Sequence, residues 1–239
     1  MKASPSTAMV LAAGLGKRMR PLTATRPKPL VEVGGRAMLD RTLDHLRAAG
    51  IRKAVINVHY FADQVEAHLR GRDQGLEIAI SDERSQLLET GGGVTKALPL
   101  IDGDDFYVVN SDNLWVDSAV PSLQLLAQQW DAETMDALLL MVPLARASSH
   151  SGRGDFHMDA DGRLRWRRDG RMAPFVYTGV MIVKRRLFDD APSGPFGFRL
   201  LWDKALAAGR LFGTTHAGLW ADVGTPQAVA ATEALLASR

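Results

Sequence analysis

Apolar positions in the first half of the chain fall into two textures, short runs that are mostly apolar and longer stretches where they recur every three or four residues. Ala8 to Val10, Lys53 to Val58, Leu76 to Ser81 and Phe106 to Val109 are of the first kind and predict buried strands. Met38 to Ala49, with Leu39, Leu43 and Leu46 on one face and Gly50 as its stop, and Asp63 to Leu69 are of the second and predict helices. A glycine turn, Glu89-Thr90-Gly91-Gly92-Gly93, precedes a helical run from Val94 to Leu98. Pro121 to Ala132 predicts a further helix with Leu123, Leu126 and Trp130 inward, and Ala137 to Val142 another strand. Strands alternating with helices predict an α/β fold, a doubly wound, mostly parallel, Rossmann-like sheet flanked by helices. In such a sheet ligands gather at the carboxyl ends of the strands.

Beyond Val142 the pattern changes. Asp161-Gly162 and Asp169-Gly170 are turn signals between the short alternating runs Phe156 to Met158 and Leu164 to Arg167. Residues from about 143 to 174 therefore predict a small antiparallel lobe over the ligand site. Phe175 to Val183 returns to the core, Phe198 to Ala208 predicts a helix, and Leu211 to Thr215 and Leu219 to Asp222 predict strands. Thr225-Pro226 caps a last helix through Ala237, with proline suited to the first turn. No repeat or linker divides the chain, so residues 1–239 are expected to form one domain, with about 1–142 and 175–239 as its core.

Composition narrows the function. No run approaches the ~20 apolar residues of a membrane span, and the segment Ala8 to Leu15 is too short for a secretory signal. A cytoplasmic protein with no membrane partner is expected. The absence of cysteine excludes disulfides, thiolate nucleophiles and cysteine-ligated metals. Lys and Arg number 29 against 27 Asp and Glu, a balance that does not suggest nucleic-acid binding. One basic cluster stands out, Arg163, Arg165, Arg167, Arg168 and Arg171 around Trp166; on alternating strands such a cluster is foremost the solvated face of a hairpin.

The candidate chemistry begins behind the first strand, at Leu11-Ala12-Ala13-Gly14-Leu15-Gly16-Lys17-Arg18-Met19-Arg20-Pro21. Gly14 and Gly16 allow a turn whose N–H groups converge on an anion, and Lys17, Arg18 and Arg20 add positive charge, which points to a polyphosphate. It is not a P-loop, because Gly16 is followed by Lys17-Arg18 rather than Lys-Ser or Lys-Thr. It is not a dinucleotide fingerprint either, because Met19 stands where the third glycine would. Pro27-Lys28-Pro29 holds backbone extended and presents Lys28 from a stiff segment. Two aspartates end apparent strands, Asp112 after Asn110-Ser111 and Asp222 after Trp220-Ala221. Either could cap a helix or hold a hard cation; for Asp222 the cap is the weaker reading, since Thr225 is the better one.

Taken together these segments resemble the sugar-phosphate nucleotidyltransferases, or nucleotide-sugar pyrophosphorylases, over nearly the whole chain, and most of all their short bacterial branch. The resemblance implies transfer of a nucleotidyl group from a nucleoside triphosphate, UTP being favoured, to a sugar 1-phosphate, with Mg²⁺ as cofactor. It implies that Ala12, Ala13, Gly14, Gly16, Lys17, Arg18, Lys28, Glu89 and Gly91 bind the nucleotide. Asn110, Asp155, Thr178 and Gly179 would bind the sugar phosphate, Asp112 and Asp222 the metal, and Arg18, Lys28, Asp112 and Asp222 would be catalytic. If the sugar carries a lactyl carboxylate, Arg165 and Arg167 could face it. The chain ends soon after the second metal segment, so the β-helix domain of longer relatives is not expected. A guanylyl-, thymidylyl- or cytidylyltransferase acting on mannose, glucose or another sugar 1-phosphate is an alternative. So is a catalytically silent nucleotide-binding regulator of the same fold.

Overall fold

The computed structural model describes residues 4–71 and 75–238. In chain order the elements are β1 (Thr7–Leu11), a small hairpin of β2 (Glu32–Val33) and β3 (Arg36–Ala37), α1 (Met38–Ala48), β4 (Lys53–Val58), α2 (Ala62–Leu69) and β5 (Glu77–Asp82). There follow α3 (Glu89–Ala97), β6 (Asp105–Asn110), β7 (Asn113–Val116), α4 (Ser122–Gln129), β8 (Ala137–Pro143), β9 (Ala147–Ser148), β10 (Phe156–Met158) and β11 (Leu164–Trp166). The last are β12 (Phe175–Lys184), α5 (Arg199–Ala207), β13 (Leu211–Thr215), β14 (Leu219–Asp222) and α6 (Pro226–Ala237).

A nine-stranded sheet runs β11-β10-β12-β6-β1-β4-β5, with β8 also paired to β12 and β13 to β8. β6, β1, β4 and β5 are parallel, as is the β8–β13 pair, whereas β12 runs antiparallel to β6, β8 and β10. The predicted mostly parallel α/β sheet is thus present, and β12 makes it a mixed one. Alternation along its strands sorts the core onto two faces. Ala8, Val10, Ile56, Tyr107 and Val109 lie in one buried cluster, under Leu39, Leu43 and Leu46 of α1, Val65 of α2 and Leu126 of α4. Met9, Val55, Phe106 and Val108 lie in another, under Val94 of α3 and Leu201 of α5. Both faces are covered, which is why these strands read as unbroken apolar runs. Each such large side chain, once fully buried, contributes about 1.5–3 kcal/mol.

Two features differ from the sequence expectation. Helix α3 begins at Glu89 rather than after the glycines, so Glu89-Thr90-Gly91-Gly92-Gly93 is no turn. The glycines serve close packing instead. A Cβ at Gly91 would meet Phe196 Cε2 at 2.4 Å, one at Gly92 the Gly194 carbonyl oxygen at 2.3 Å, and one at Gly93 Glu83 Oε1 at 2.7 Å. The second concerns β14, which is not a strand of the central sheet. It belongs to a separate three-stranded sheet, β7-β14-β9, where it runs antiparallel to β7 and parallel to β9. The hairpin β10–β11, by contrast, extends the edge of the central sheet through Phe156 and Phe175.

Candidate active site

The loop after β1 is held from below. Gly16 lies in the left-handed region (φ 60), and a Cβ there would meet Thr23 Cγ2 at 3.0 Å and Lys28 Cβ at 3.1 Å, so glycine is needed for both conformation and space. The Thr23 hydroxyl donates to the Gly16 carbonyl (2.8 Å). Met19, wholly buried, anchors the single helical turn Lys17–Met19 among Val31, Leu114, Ala221 and Val223, which ties the loop to the three-stranded sheet. Lys17 and Arg18 stay exposed above this anchor.

Lys28 departs from its expected presentation. Pro27 is extended, but Lys28–Leu30 forms a tight helical turn, and the lysine side chain is 9% exposed. A nearly buried ammonium needs a counter-charge. Asp112 provides it: Lys28 Nζ donates to Asp112 Oδ2 at 2.8 Å, and that carboxylate remains 38% exposed. The turn bearing Asp112 is fixed by its neighbour, since the Ser111 N–H and hydroxyl both donate to the Leu11 carbonyl at the end of β1 (3.2 and 2.7 Å).

Asp222 comes to the same place by strand pairing. It stands opposite Asn113, the first residue of β7 in the β14–β7 ladder, so Asp112, in the turn just before β7, is one residue away along the chain from the position facing Asp222. Thr225 caps α6 as expected, its hydroxyl accepting from Ala228 N–H at 3.2 Å, and leaves Asp222 for other work. A Cβ at Gly224 would meet Arg18 Nη1 and Asp222 Oδ1 at 3.0 Å each, so the guanidinium and the carboxylate flank one point. His150 Nδ1 lies 3.9 Å from Asp222 Oδ2. Among the described residues no group of three or more His, Asp or Glu side chains is gathered to hold a metal ion. Two hard carboxylates do suit a divalent cation that takes its remaining ligands from water and phosphate oxygens.

The open cleft beside these groups is lined by Ala12, Ala13, Gly14, Lys28, Glu89, Asn110 and Asp112, and a second concavity by Gly14, Gly16, Lys17, Arg18, Lys28 and Asp112. They share Gly14, Lys28 and Asp112, so most expected nucleotide groups surround one crevice. Gly91 is not on its wall, because the Gly91 and Gly92 N–H groups donate to the Phe196 carbonyl (2.8 and 3.0 Å). Asn110, at the end of β6, packs against Gly179, where β12 bulges (φ 88) and a Cβ would come within 3.0 Å of Asn110 Cβ. The Thr178 hydroxyl donates inward to the Leu140 carbonyl (2.8 Å). Asp155 accepts from Tyr177 N–H at Oδ2 (2.9 Å). In the arginine cluster, Arg163 donates to the Gly209 carbonyl and lies over Phe212, while Arg167 donates to the Gly154 and Arg171 carbonyls; Arg165 is exposed.

Sequence reading missed a relay that shapes the crevice. Ala12 N–H donates to Asn57 Oδ1 (2.6 Å), Asn57 Nδ2 donates to Glu83 Oε1 (2.7 Å), and Leu88 N–H donates to Glu83 Oε2 (3.1 Å). A carboxylate with no exposure thereby joins the glycine loop to the start of α3. The signal was present in the chain: Asn57 is a polar residue inside an otherwise apolar strand.

The family model for nucleotidyl transferases matches residues 7–163. The chain belongs to the nucleotidyl transferase family. Over 240 aligned residues it is 49% identical to the N-acetylmuramate alpha-1-phosphate uridylyltransferase of Caulobacter vibrioides, covering 99% of each chain. It is 36% identical to the enzyme of that name in Neisseria meningitidis serogroup B, over 91% of this chain and 93% of the other. Among solved structures, UDP-glucose pyrophosphorylase complexed with UDP-glucose superposes with a TM-score of 0.82 at 14% identity, over 98% of this chain and 100% of the other. HddC from Yersinia pseudotuberculosis complexed with GMP-PN gives 0.77 at 20% identity, over 97% and 99%. These last two likenesses concern the fold, which this nucleotidyl transferase shares from end to end. No helix among its described residues is long and apolar enough to cross a membrane.

Proposed function

We propose that this nucleotidyl transferase joins a sugar 1-phosphate to the uridylyl group of UTP and releases pyrophosphate, with N-acetylmuramate α-1-phosphate as the sugar, in cytoplasmic recycling of cell-wall sugars. The observation that carries the reaction is the Lys28–Asp112 pair, set where the glycine loop meets the β7–β14 ladder and beside Arg18 and Asp222. The near full-length identity to the Caulobacter vibrioides uridylyltransferase supports the choice of base and sugar.

The obstacle in this reaction is charge. A phosphate monoester with a second pKa near ~6 is already an anionic nucleophile at neutral pH and needs no general base. Two unit charges ~4 Å apart interact by ~1 kcal/mol in water and by ~4 kcal/mol at an effective dielectric near 20, so the two phosphates must be brought together by fixed cations. Backbone from Ala12 to Gly16 with Lys17 and Arg18 holds the triphosphate. Lys28, already largely desolvated, neutralises the α-phosphate as the sugar-phosphate oxygen bonds to α-phosphorus and the bond to the β-phosphate oxygen breaks, its electron pair leaving with pyrophosphate. Asn110 and Gly179 bound the sugar-phosphate side and Glu89 the base side. Asp112 and Asp222 would hold a divalent cation, Mg²⁺ in this proposal, which when bound offsets phosphate charge and orients the triphosphate.

A pyrophosphate-release screen of UTP, GTP, dTTP and CTP against N-acetylmuramate, N-acetylglucosamine, glucose and mannose 1-phosphates, with Mg²⁺, tests this. Turnover concentrated on UTP with N-acetylmuramate α-1-phosphate is expected. Preference for another pair reassigns the substrates, and no turnover with any pair returns the chain to the silent-regulator reading.

A further inference from the structure

Gly16 leaves open a choice that its own backbone does not make. With φ 60 and ψ 25 it is left-handed, and a glycine also reaches the conformation in which the following peptide is turned over. The two orientations are electrically opposite. In a planar trans peptide the carbonyl oxygen and the next N–H point in opposite directions, so one orientation offers an anion the Lys17 N–H and the other the Gly16 oxygen, which repels it.

A buried side chain makes the choice. The Gly16 carbonyl accepts from the Thr23 hydroxyl (2.8 Å) and from the Met19 N–H (2.9 Å), and both residues are buried. The oxygen therefore faces the interior. The Lys17 N–H faces the opposite way, and among the described residues no group receives it. Gly16 and Lys17 line the concavity that Arg18, Lys28 and Asp112 share, whereas Thr23 does not, so the free N–H is on the open side and its support on the closed one. The Met19 bond closes a single turn, which holds its geometry weakly by itself. Thr23 is tied to a different element. Its carbonyl accepts from the Tyr60 hydroxyl (3.1 Å), and the Thr25 carbonyl accepts from Gln64 Nε2 (3.0 Å), so residues 23–25 are docked on the start of α2. The Thr23 methyl also faces Gly16, with Cγ2 3.0 Å from where a Cβ would stand, so both branches of this stiff side chain are engaged.

Resting on the proposed binding of a nucleoside triphosphate by this loop, we propose that Thr23 is a positioning residue for its pyrophosphate portion. The hydroxyl holds the Gly16–Lys17 peptide with the Lys17 N–H toward the β- and γ-phosphates, so the donor needs no reorientation when the anion arrives. The effect is confined to that end of the ligand. Gly16 and Lys17 do not line the cleft that Glu89 shares with Ala12 and Asn110, where the base and the sugar phosphate lie in the proposed reaction.

The experiment compares wild type, Thr23→Val, Thr23→Ser and Tyr60→Phe. Each is measured by calorimetric Kd for UTP, UMP and inorganic pyrophosphate with Mg²⁺, by KM and kcat in turnover, and by melting temperature. In Thr23→Val, which keeps the shape and removes the hydroxyl, Kd and KM rise about five- to tenfold for UTP and for pyrophosphate. They stay level for UMP and for the sugar 1-phosphate, and kcat changes little. Thr23→Ser restores the hydroxyl and brings UTP back to within about twofold of wild type. Tyr60→Phe removes a bond on the far side of Thr23 but leaves the one to Gly16, so its melting temperature falls while the ratio of UTP to UMP affinity holds. Should Thr23→Val fail to fold, Thr23→Ala makes the same comparison. Equal rises for UTP and UMP, no rise for UTP, or a serine variant as weak as the valine one each overturn the positioning role, while wild-type turnover keeps the reaction. Selective loss of UTP and pyrophosphate binding in Thr23→Val, in a chain that turns over no sugar 1-phosphate, keeps the positioning role and overturns the reaction. A wild type that binds neither UTP nor pyrophosphate overturns both.

Discussion

The β7–β14 ladder has two ends built on opposite principles. At one end Asp112 and Asp222 stand side by side, part-exposed, with Lys28 Nζ on one oxygen of Asp112 and Arg18 near Asp222. At the other end Val116 pairs with Leu219, and just beyond them a third aspartate, Asp117, is fully employed. Asp117 Oδ2 faces His45 Nδ1 at 3.2 Å, and Oδ1 accepts from the Ser122 N–H at 2.9 Å. The Ser122 hydroxyl is shared between Asp117 Oδ1 and His216 Nδ1, while His216 Nε2 meets the Leu219 carbonyl (3.0 Å) and His45 Nε2 that of Trp115 (3.2 Å). Burial alone would raise the Asp117 carboxyl; the hydrogen bonds from His45 and Ser122 outweigh it and lower it to about 2. One strand pair thus carries a polar network satisfied within the protein and, 10 Å or so away at ~3.4 Å per residue, carboxylates left open for a ligand. Polar groups that finish their hydrogen bonds internally hold a fold together, and those that do not are available for chemistry.

The largest expected effects lie at the open end. Asp112→Asn and Asp222→Asn each lower kcat by ~10² to 10³ fold; the melting temperature holds or rises in Asp222→Asn and falls in Asp112→Asn, which leaves the nearly buried Lys28 ammonium without its counter-charge. If both act through one cation, the double variant is little worse than the poorer single one; strictly additive losses in a kinetic cycle would assign them separate roles. Lys28→Ala costs a similar factor in kcat, since a fixed charge at the transition state is removed. Because its partner Asp112 stays solvated, this variant keeps its fold, and a large drop in melting temperature would show that the buried lysine is structural.

At the closed end the order reverses. Asp117→Asn and His216→Gln lower stability by about 1–3 kcal/mol yet leave kcat within a few fold when assayed well below melting. The acid dependence has a definite sign. A carboxyl lowered on folding contributes stability that is complete above its unfolded pKa near ~4 and is lost as pH falls toward about 2. Burial also lowers the His216 imidazole, so its contribution is complete above ~6.5 and is lost as pH falls through its depressed value. Melting temperature measured against pH should therefore fall in two acid steps, and His216→Gln should lack the upper one. A catalytic collapse in either variant at full stability would erase the contrast between the two ends.

Smaller effects test packing and surface. Gly92→Ala, which on helix propensity would gain up to ~1 kcal/mol, instead costs about 1–3 kcal/mol because the new Cβ meets the Gly194 carbonyl at 2.3 Å. Denaturant titration decides the sign. Arg165→Ala is the least: an exposed arginine on the hairpin should change KM for the muramate substrate by no more than about twofold. A larger, muramate-selective rise would bring the hairpin into the sugar site.

What the chain determined on its own was local and periodic. Unbroken apolar runs at Ala8 to Val10, Ala54 to Ile56 and Phe106 to Val109 mark strands covered on both faces, because only such burial tolerates apolar residues at successive positions. The same holds for the helix stop at Gly50 and the Thr225 cap. Tertiary structure decided whatever depended on a residue far along the chain. Gly91 to Gly93 read as a turn because glycine frees the backbone, but contact with Phe196, Gly194 and Glu83 made them a helix surface. Lys28 read as surface because two prolines flank it, and it is nearly buried because Asp112, distant in sequence, can neutralise it. The Asn57–Glu83 relay and the Asp117 network likewise join partners from separate elements. Hydrogen bonds and close packing are short-ranged in space and blind to sequence distance, so local pattern announces the elements and only their assembly selects the partners.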